Sequence, residues 1–293
     1  MIQQILNGLI IGSMYALVAI GFTLVLGVLD RLNFAHTEIF MFGGFVGLVV
    51  IQGGGPLWLT LPVAFAVCGG LGLVVELVCF RRIEGDARIT AALSSVAAGL
   101  IIDDLLQKVY GTDPPSLPLP GYITDAGVRL LDTHLAYLDL LIVGVTLALM
   151  VALQIYVART RTGRAIRAVA DSHTAAALLG INVRRVTQQV FFLSAALAGV
   201  AGVLYAFRTD IANLQAGLTF GLKALAVMAI GGMGDVRGAV IGGLAVGVLE
   251  GLAFYWGLGG YSDLVVWIAM ILVLLVRPAG LFGGGVHMRE QRA

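Results

Sequence analysis

Nine apolar stretches of membrane length or close to it follow one another along this chain, at residues 4–29, 37–52, 57–80, 89–109, 138–158, 188–207, 218–232, 238–257 and 262–277. A helix needs about 20 apolar residues to cross a hydrocarbon core. Inside that core every backbone N–H and C=O must find a partner within the chain, so such segments are read as helices. Hydrophobic residues make up 59% of the sequence and charged residues 12%, with a mean hydropathy of +0.98. A soluble domain of this size has no interior large enough for that much apolar surface. The expected fold is an all-α polytopic membrane protein, a single transmembrane domain over 1–293 with about eight to nine spans. The count turns on 218–232, which is short and broken by glycine. The abundance of glycine, 40 residues, fits helices that pack closely in lipid. The first segment is too long, and too polar at Asn7, Ser13 and Thr23, for a cleaved signal.

Basic residues set the orientation, because Lys and Arg are retained on the cytoplasmic side. Arg31, Arg81, Arg82, Arg88, Arg237, Arg277, Arg289, Arg292 and the arginines between 159 and 185 fall on one side; Lys108, Arg129, Arg208 and Lys223 are left for the other. The loop 159–187 and the C-terminus are therefore placed in the cytoplasm and, with nine spans, the N-terminus outside. The longest outer loop, 110–137, holds Pro114, Pro115, Pro118 and Pro120 among acidic residues. It reads either as a docking surface for an external protein or as a plain connection.

Within the basic loop lies a short helix signal. Asp171 or Ser172 supplies the N-cap and Gly180 the left-handed C-terminal position. Between them run Thr174, Ala175, Ala176, Ala177, Leu178 and Leu179. Two turns of helix do not hold in water without a surface to lie on. The apolar knob of Ala176, Leu178 and Leu179, rimmed by arginines, suits a groove on a soluble partner. It suits equally an amphipathic helix resting on the lipid interface.

Two glycine-broken segments share a plan. In 27–47 a span ends in G-V-L-D-R-L-N-F-A-H-T-E and a Gly43-Gly44 helix follows; in 227–247 a span ends in I-G-G-M-G-D-V-R and a Gly242-Gly243 helix follows. Paired breaks of this kind mark transport paths. The candidate path or gate residues are Asn33, His36, Glu38, Gly231, Gly232, Gly234 and Asp235, with Asn7, Ser13 and Tyr15 of the first span offering a few polar contacts in an apolar wall. The charge assignment puts both breaks near the cytoplasmic side, as an inner gate. Asn33 and His36 equally suit the simpler role of capping helix ends.

Several chemistries lack their residues. There is no G-x-x-x-x-G-K-[ST] phosphate loop, no H-E-x-x-H and no G-x-S-x-G. Cys68 and Cys79 lie on one span, too far apart to bond. Among acids in or beside spans, Asp103 and Asp104 have Lys108 one turn away and Glu76 lies near Arg81 and Arg82. Glu250 is the most central and reads either as a path residue or as a structural partner. No enzymatic, metal-binding or nucleic-acid function is expected. A stand-alone secondary transporter is the rival to an ATP-driven one, and would show more deep acids.

The motifs L-N-G-L-I-I-G-S-M-Y-A-L-V-A-I-G at 6–21, L-N-F-A-H-T-E at 32–38, A-A-L-L-G-I-N at 176–182, I-G-G-M-G-D-V-R-G-A-V-I-G-G at 230–243 and R-P-A-G-L-F-G at 277–283 together make the chain resemble the permease subunits of high-affinity branched-chain amino acid ABC importers, most closely the H-type of their two paired permeases. Thr37 departs from the glycine usual there. The resemblance implies a multi-pass protein of the bacterial inner membrane. It implies a coupling helix at 171–182, with Asp171, Ala175, Ala176, Leu178, Leu179, Gly180 and Ile181 meeting a cytoplasmic ATPase. It further implies two ATPase subunits carrying ATP and Mg, a second permease of the same or the partner type, and a periplasmic binding protein. No cofactor is expected on this chain. Related permeases import urea, short amides and aromatic acids.

Overall fold

The computed structural model describes residues 1–83, 88–113, 115–117, 119, 126–130 and 133–283. The C-terminal arginines Arg289 and Arg292, and Pro114, Pro118 and Pro120 of the long loop, lie outside the described residues. The fold is all-α: α1 (Ile2–Leu29), α2 (Ala35–Gln52), α3 (Leu57–Val75, continued by a π-turn Glu76–Phe80), α4 (Arg88–Tyr110), α5 (Tyr137–Arg159), α6 (Arg161–Asp171), α7 (His173–Leu178), α8 (Val183–Thr209), α9 (Ala216–Gly231), α10 (Val236–Tyr255) and α11 (Ser262–Val276). Among the described residues, eight helical segments are long and apolar enough to cross a membrane, and Ala216–Gly231 is a shorter apolar ninth. The long loop carries one unexpected element, a hairpin of β1 (Gly127–Leu130) on β2 (Thr133–Ala136).

α1 and α8 form the centre, 83% buried over their most apolar windows, whereas α4 and α5 are 22% and α11 11% buried. Small residues let the central helices approach. Gly8, Gly12 and Ala16 of α1 run against Gly243, Gly247 and Gly251 of α10, so closely that a methyl group at any of these glycines would meet opposing backbone or Ala16. A second such seam sets Gly43 and Gly44 of α2 against Gly199 and Gly202 of α8. In lipid no hydrophobic force draws helices together, so backbone-to-backbone packing of this kind supplies the association energy. Around the centre, α4, α2, α9 and α11 are successive neighbours.

The residues at each end agree with the charge pattern. At the basic end Arg31 Nη1 donates to the Ile83 carbonyl at 3.4 Å and His173 Nε2 lies 2.6 Å from the Val28 carbonyl. At the opposite end Asp139 pairs with Arg208 Nε at 3.1 Å, and Leu117 N donates to the Asp210 carbonyl at 2.7 Å.

Candidate functional site

The first break does more than turn the chain. After α1 ends at Asp30 in a left-handed conformation (φ 53°), residues 31–34 run back into the bundle. His36, in the first turn of α2, is buried beside Val18, with its Nε2 3.2 Å from the Val18 carbonyl. Val18 is eleven residues before Leu29, so α2 begins about 16 Å inside the bundle. That corrects the reading of both breaks as one inner gate: the first lies at mid-depth and only the second lies at the basic end. The reason is the length of α1, which carries the chain well past the level at which α2 can start.

His36 ties three elements. With Nε2–H donating to Val18, Nδ1 faces the Ser194 hydroxyl of α8 at 3.3 Å, and that hydroxyl also lies 2.9 Å from the Gly21 carbonyl. Phe22 meets the ring edge-on at 4.5 Å. Asn33 is buried; its backbone carbonyl accepts from His36 N at 3.3 Å while its side-chain Oδ1 has no partner among the described residues. The amide of Phe34, before the helix, donates to Ser95 Oγ of α4 at 3.0 Å. Thr37 Oγ1 caps back onto the Phe34 carbonyl at 2.9 Å and also lies 3.2 Å from Glu38 Oε1. Its methyl group sits against Gly221 of α9, where any added side chain would collide with it. The departure at Thr37 is thus absorbed by a glycine opposite. Glu38, only partly buried, stands between Gly99 of α4 and Gly217 of α9.

The second break is pinned by a partner that the sequence reading missed. Gly232 (φ 113°) and Gly234 (φ 88°) take conformations that side chains resist. Asp235 caps α10, its Oδ1 accepting from Arg237 N at 2.7 Å and Gly238 N at 3.2 Å. The turn of 277–283 then docks on it: Leu281 N donates to the Ile230 carbonyl at 2.8 Å and Phe282 N to the Gly231 carbonyl at 3.0 Å. Gly280 also packs against Gly232. The motifs I-G-G-M-G-D and R-P-A-G-L-F-G are one structural unit, a link invisible to periodicity because it is made by backbone.

The first-span trio separates. Ser13 bonds its own helix at the Ile10 carbonyl (2.7 Å), and Asn7 stands at the end opposite the basic one, with Gln3 Nε2 3.5 Å from its Oδ1. Tyr15 alone joins a polar cluster. Its hydroxyl donates to Glu250 Oε2 at 2.9 Å, and Lys223 Nζ reaches Glu250 Oε1 and Asp263 Oδ1, each at 2.6 Å. Lys223 was placed on the outer side as a topological marker, and its role as the partner of the central Glu250 was not foreseen. Phe220 lies beside it, nearly parallel to Phe40 at 4.4 Å and meeting Tyr205 edge-on at 5.0 Å. Glu76 meets α8 residues Arg184 and Gln188 and lines one cleft with Arg81. Asp104 pairs with Lys108 at 2.7 Å as spacing suggests.

In the basic loop, α6 is a whole amphipathic helix. Gly163, Ile166 and Val169 are buried, while Arg161, Arg164 and Arg167 are exposed. Asp171 is its last residue, so the cap of α7 is Ser172, whose Oγ accepts from Ala175 N at 3.2 Å. Gly180 takes the left-handed conformation expected of it (φ 80°). The knob is smaller than expected. Ala176 is buried, whereas Leu178 and Leu179 are 83% and 79% exposed. Ala175 and Gly180 are exposed beside them and Ile181 half-buried. A cleft of about 620 Å³, lined by Arg31, Glu76, Arg81, His173, Arg184 and Thr187, lies beside this hairpin. Among the described residues no three His, Cys, Asp or Glu side chains stand close enough to hold a metal ion.

A family described as "Branched-chain amino acid transport system / permease component" matches residues 4–274. The chain is 34% identical to the high-affinity branched-chain amino acid transport system permease protein BraD of Pseudomonas aeruginosa, over 96% of this chain and 95% of that protein. It is also 34% identical to the permease protein LivH of Escherichia coli, over the same shares. A fructose import permease protein, FruG of Bifidobacterium longum, is 26% identical over 89% of this chain and 85% of that protein. Among solved structures, a chain of PsaBC from Streptococcus pneumoniae in complex with Fab superposes with a TM-score of 0.52 at 10% identity, covering 97% of this chain and 94% of that one, a likeness of fold alone.

Proposed function

Since the chain belongs to the branched-chain amino acid transport system permease component family, we propose that it imports branched-chain or closely related amino acids as one permease of an ATP-driven complex. A second permease completes the path, two cytoplasmic ATPase subunits bind ATP and Mg, and a periplasmic binding protein delivers substrate to the end carrying Asp139 and Arg208. The protein lies in the cytoplasmic membrane with its basic end and C-terminus inside. The relatives' printed names and the near-complete coverage support the amino-acid reading; the structural observation that carries the ATP-driven one is the α7 hairpin. It holds two bare leucines off the basic end, on a helix capped at both ends and tied by His173 to the last turn of α1. A carrier driven by an ion gradient has no use for such a lever.

In this reading the ATPase holds Leu178 and Leu179. Movement at α7 passes through the His173–Val28 contact into α1, and through the glycine seam into α10. The breaks at Asn33–Glu38 and Gly231–Asp235 adjoin those two helices and are the places where the path opens. The test is reconstitution with and without the ATPase. Uptake of labelled leucine should require ATP and the ATPase, and uptake driven by an ion gradient alone would overturn the reading. Competition by urea, short amides or aromatic acids in the same assay separates the related substrate classes.

A further inference from the structure

We propose that the Lys223–Asp263 ion pair is the point at which the permease reads the α-ammonium and α-carboxylate of the transported amino acid; this rests on the amino-acid reading above. The cluster holds two carboxylates and one ammonium. Lys223 is only 12% exposed and its bond to Glu250, 7% exposed, is the buried one. Glu250 is then fully engaged, by Lys223 on one oxygen and Tyr15 on the other. Asp263 is different. It lies in the first turn of α11, 61% exposed, and reaches the same Nζ at 2.6 Å.

An ion pair with one member that exposed contributes little to holding two helices together, yet it sets an exposed carboxylate of α11 beside a desolvated ammonium of α9. Among the described segments long enough to cross a membrane, that of α11 is the least covered, 11% buried. A zwitterion presents the complementary pair. Its ammonium meets Asp263, its carboxylate meets Lys223, and the four charges close a ring without either protein group losing its partner. The apolar ground around the pair suits an aliphatic side chain: Leu264 and Tyr261 are exposed next to Asp263, and Phe220 lies one turn from Lys223. Charge-assisted hydrogen bonds in such surroundings are roughly twice as strong as neutral ones. No neutral solute gains the same ring, so the pair favours amino acids over uncharged solutes of the same size.

The experiment uses the whole importer in proteoliposomes with its loaded binding protein. It compares wild type, Asp263→Asn and Asp263→Glu by labelled leucine uptake and by ATP hydrolysis in parallel. Losing one charge-assisted contact should lower uptake by Asp263→Asn about tenfold, while binding-protein-stimulated hydrolysis and complex assembly stay at the wild-type level and Asp263→Glu recovers transport. Wild-type uptake by Asp263→Asn would overturn the proposal. So would a parallel fall in uptake, hydrolysis and thermal stability, which marks the pair as a helix latch. If the wild-type complex itself imports no amino acid, the fault lies with the functional reading instead.

Discussion

A Cβ at Gly247 would run into the backbone of Gly8 and Gly12, whereas one at Gly144 would meet nothing within 4 Å. Valine at the two positions should therefore behave oppositely. Overpacking a close seam costs about 1–3 kcal/mol or more, so Gly247→Val should lower the melting temperature in detergent and Gly144→Val should leave it near wild type. The sequence already suggested close packing from its glycine content. It did not say which glycines face which, because that depends on crossing geometry and not on composition. Charge follows the same pattern. Glu250 was legible as a central acid with two readings open, and the structure gives it two partners, Lys223 and Tyr15. Removing the cation alone strands a buried carboxylate, at about 3–5 kcal/mol. Lys223→Met should therefore destabilise the protein strongly, and adding Glu250→Gln should recover much of the loss. A double-mutant cycle on thermal unfolding measures the non-additivity; additive effects would argue against the pairing.

At the scale of elements, α7 offers two faces one residue type apart. Ala176 is buried against the permease, and Leu179 stands free. Leu179→Asp puts a charge into whatever covers the tip, and should release the ATPase on co-purification while the permease keeps its own stability. Ala176→Asp buries a charge within the chain, at a cost of several kcal/mol, and should disturb the hairpin even with no ATPase present. If both variants keep the ATPase bound, the tip lies on lipid. The existence of α7 and its glycine stop were readable, and its cap was narrowed to Asp171 or Ser172, since caps are local chemistry. Helix α6 is masked in the sequence by its arginines, although Gly163, Ile166 and Val169 recur at helical spacing beneath them. The tie from His173 to Val28 was not readable, as nothing local pairs residues 145 apart in sequence. The spans, by contrast, were almost fully legible, because lipid leaves a backbone little choice beyond helix.

For the whole molecule, the two breaks now occupy different levels, and that separates their accessibility. Met233 is 42% exposed at the basic end, while Asn33 and His36 are 3% and 1% exposed at mid-depth. The native cysteines Cys68 and Cys79 are both buried, so a single introduced cysteine should report against a quiet background. With the basic end in the cytoplasm, a membrane-impermeant maleimide should label position 233 in inside-out vesicles and spare it in right-side-out ones. Labelling from the outer side would invert the topology. Position 33 should be protected at rest from both sides. Its Oδ1 has no partner among the described residues, and α2 begins beside it within the bundle, where irregular backbone survives only if protein or water satisfies it. If α2 moves as the complex turns over, position 33 should become reactive in one nucleotide state only, with ATP or without it. Reactivity at 33 that never changes would take the first break out of the path and leave His36 as a clamp between α1, α2 and α8. A change confined to 233 would place the whole gate at the unit formed by Gly231–Asp235 and the 277–283 turn.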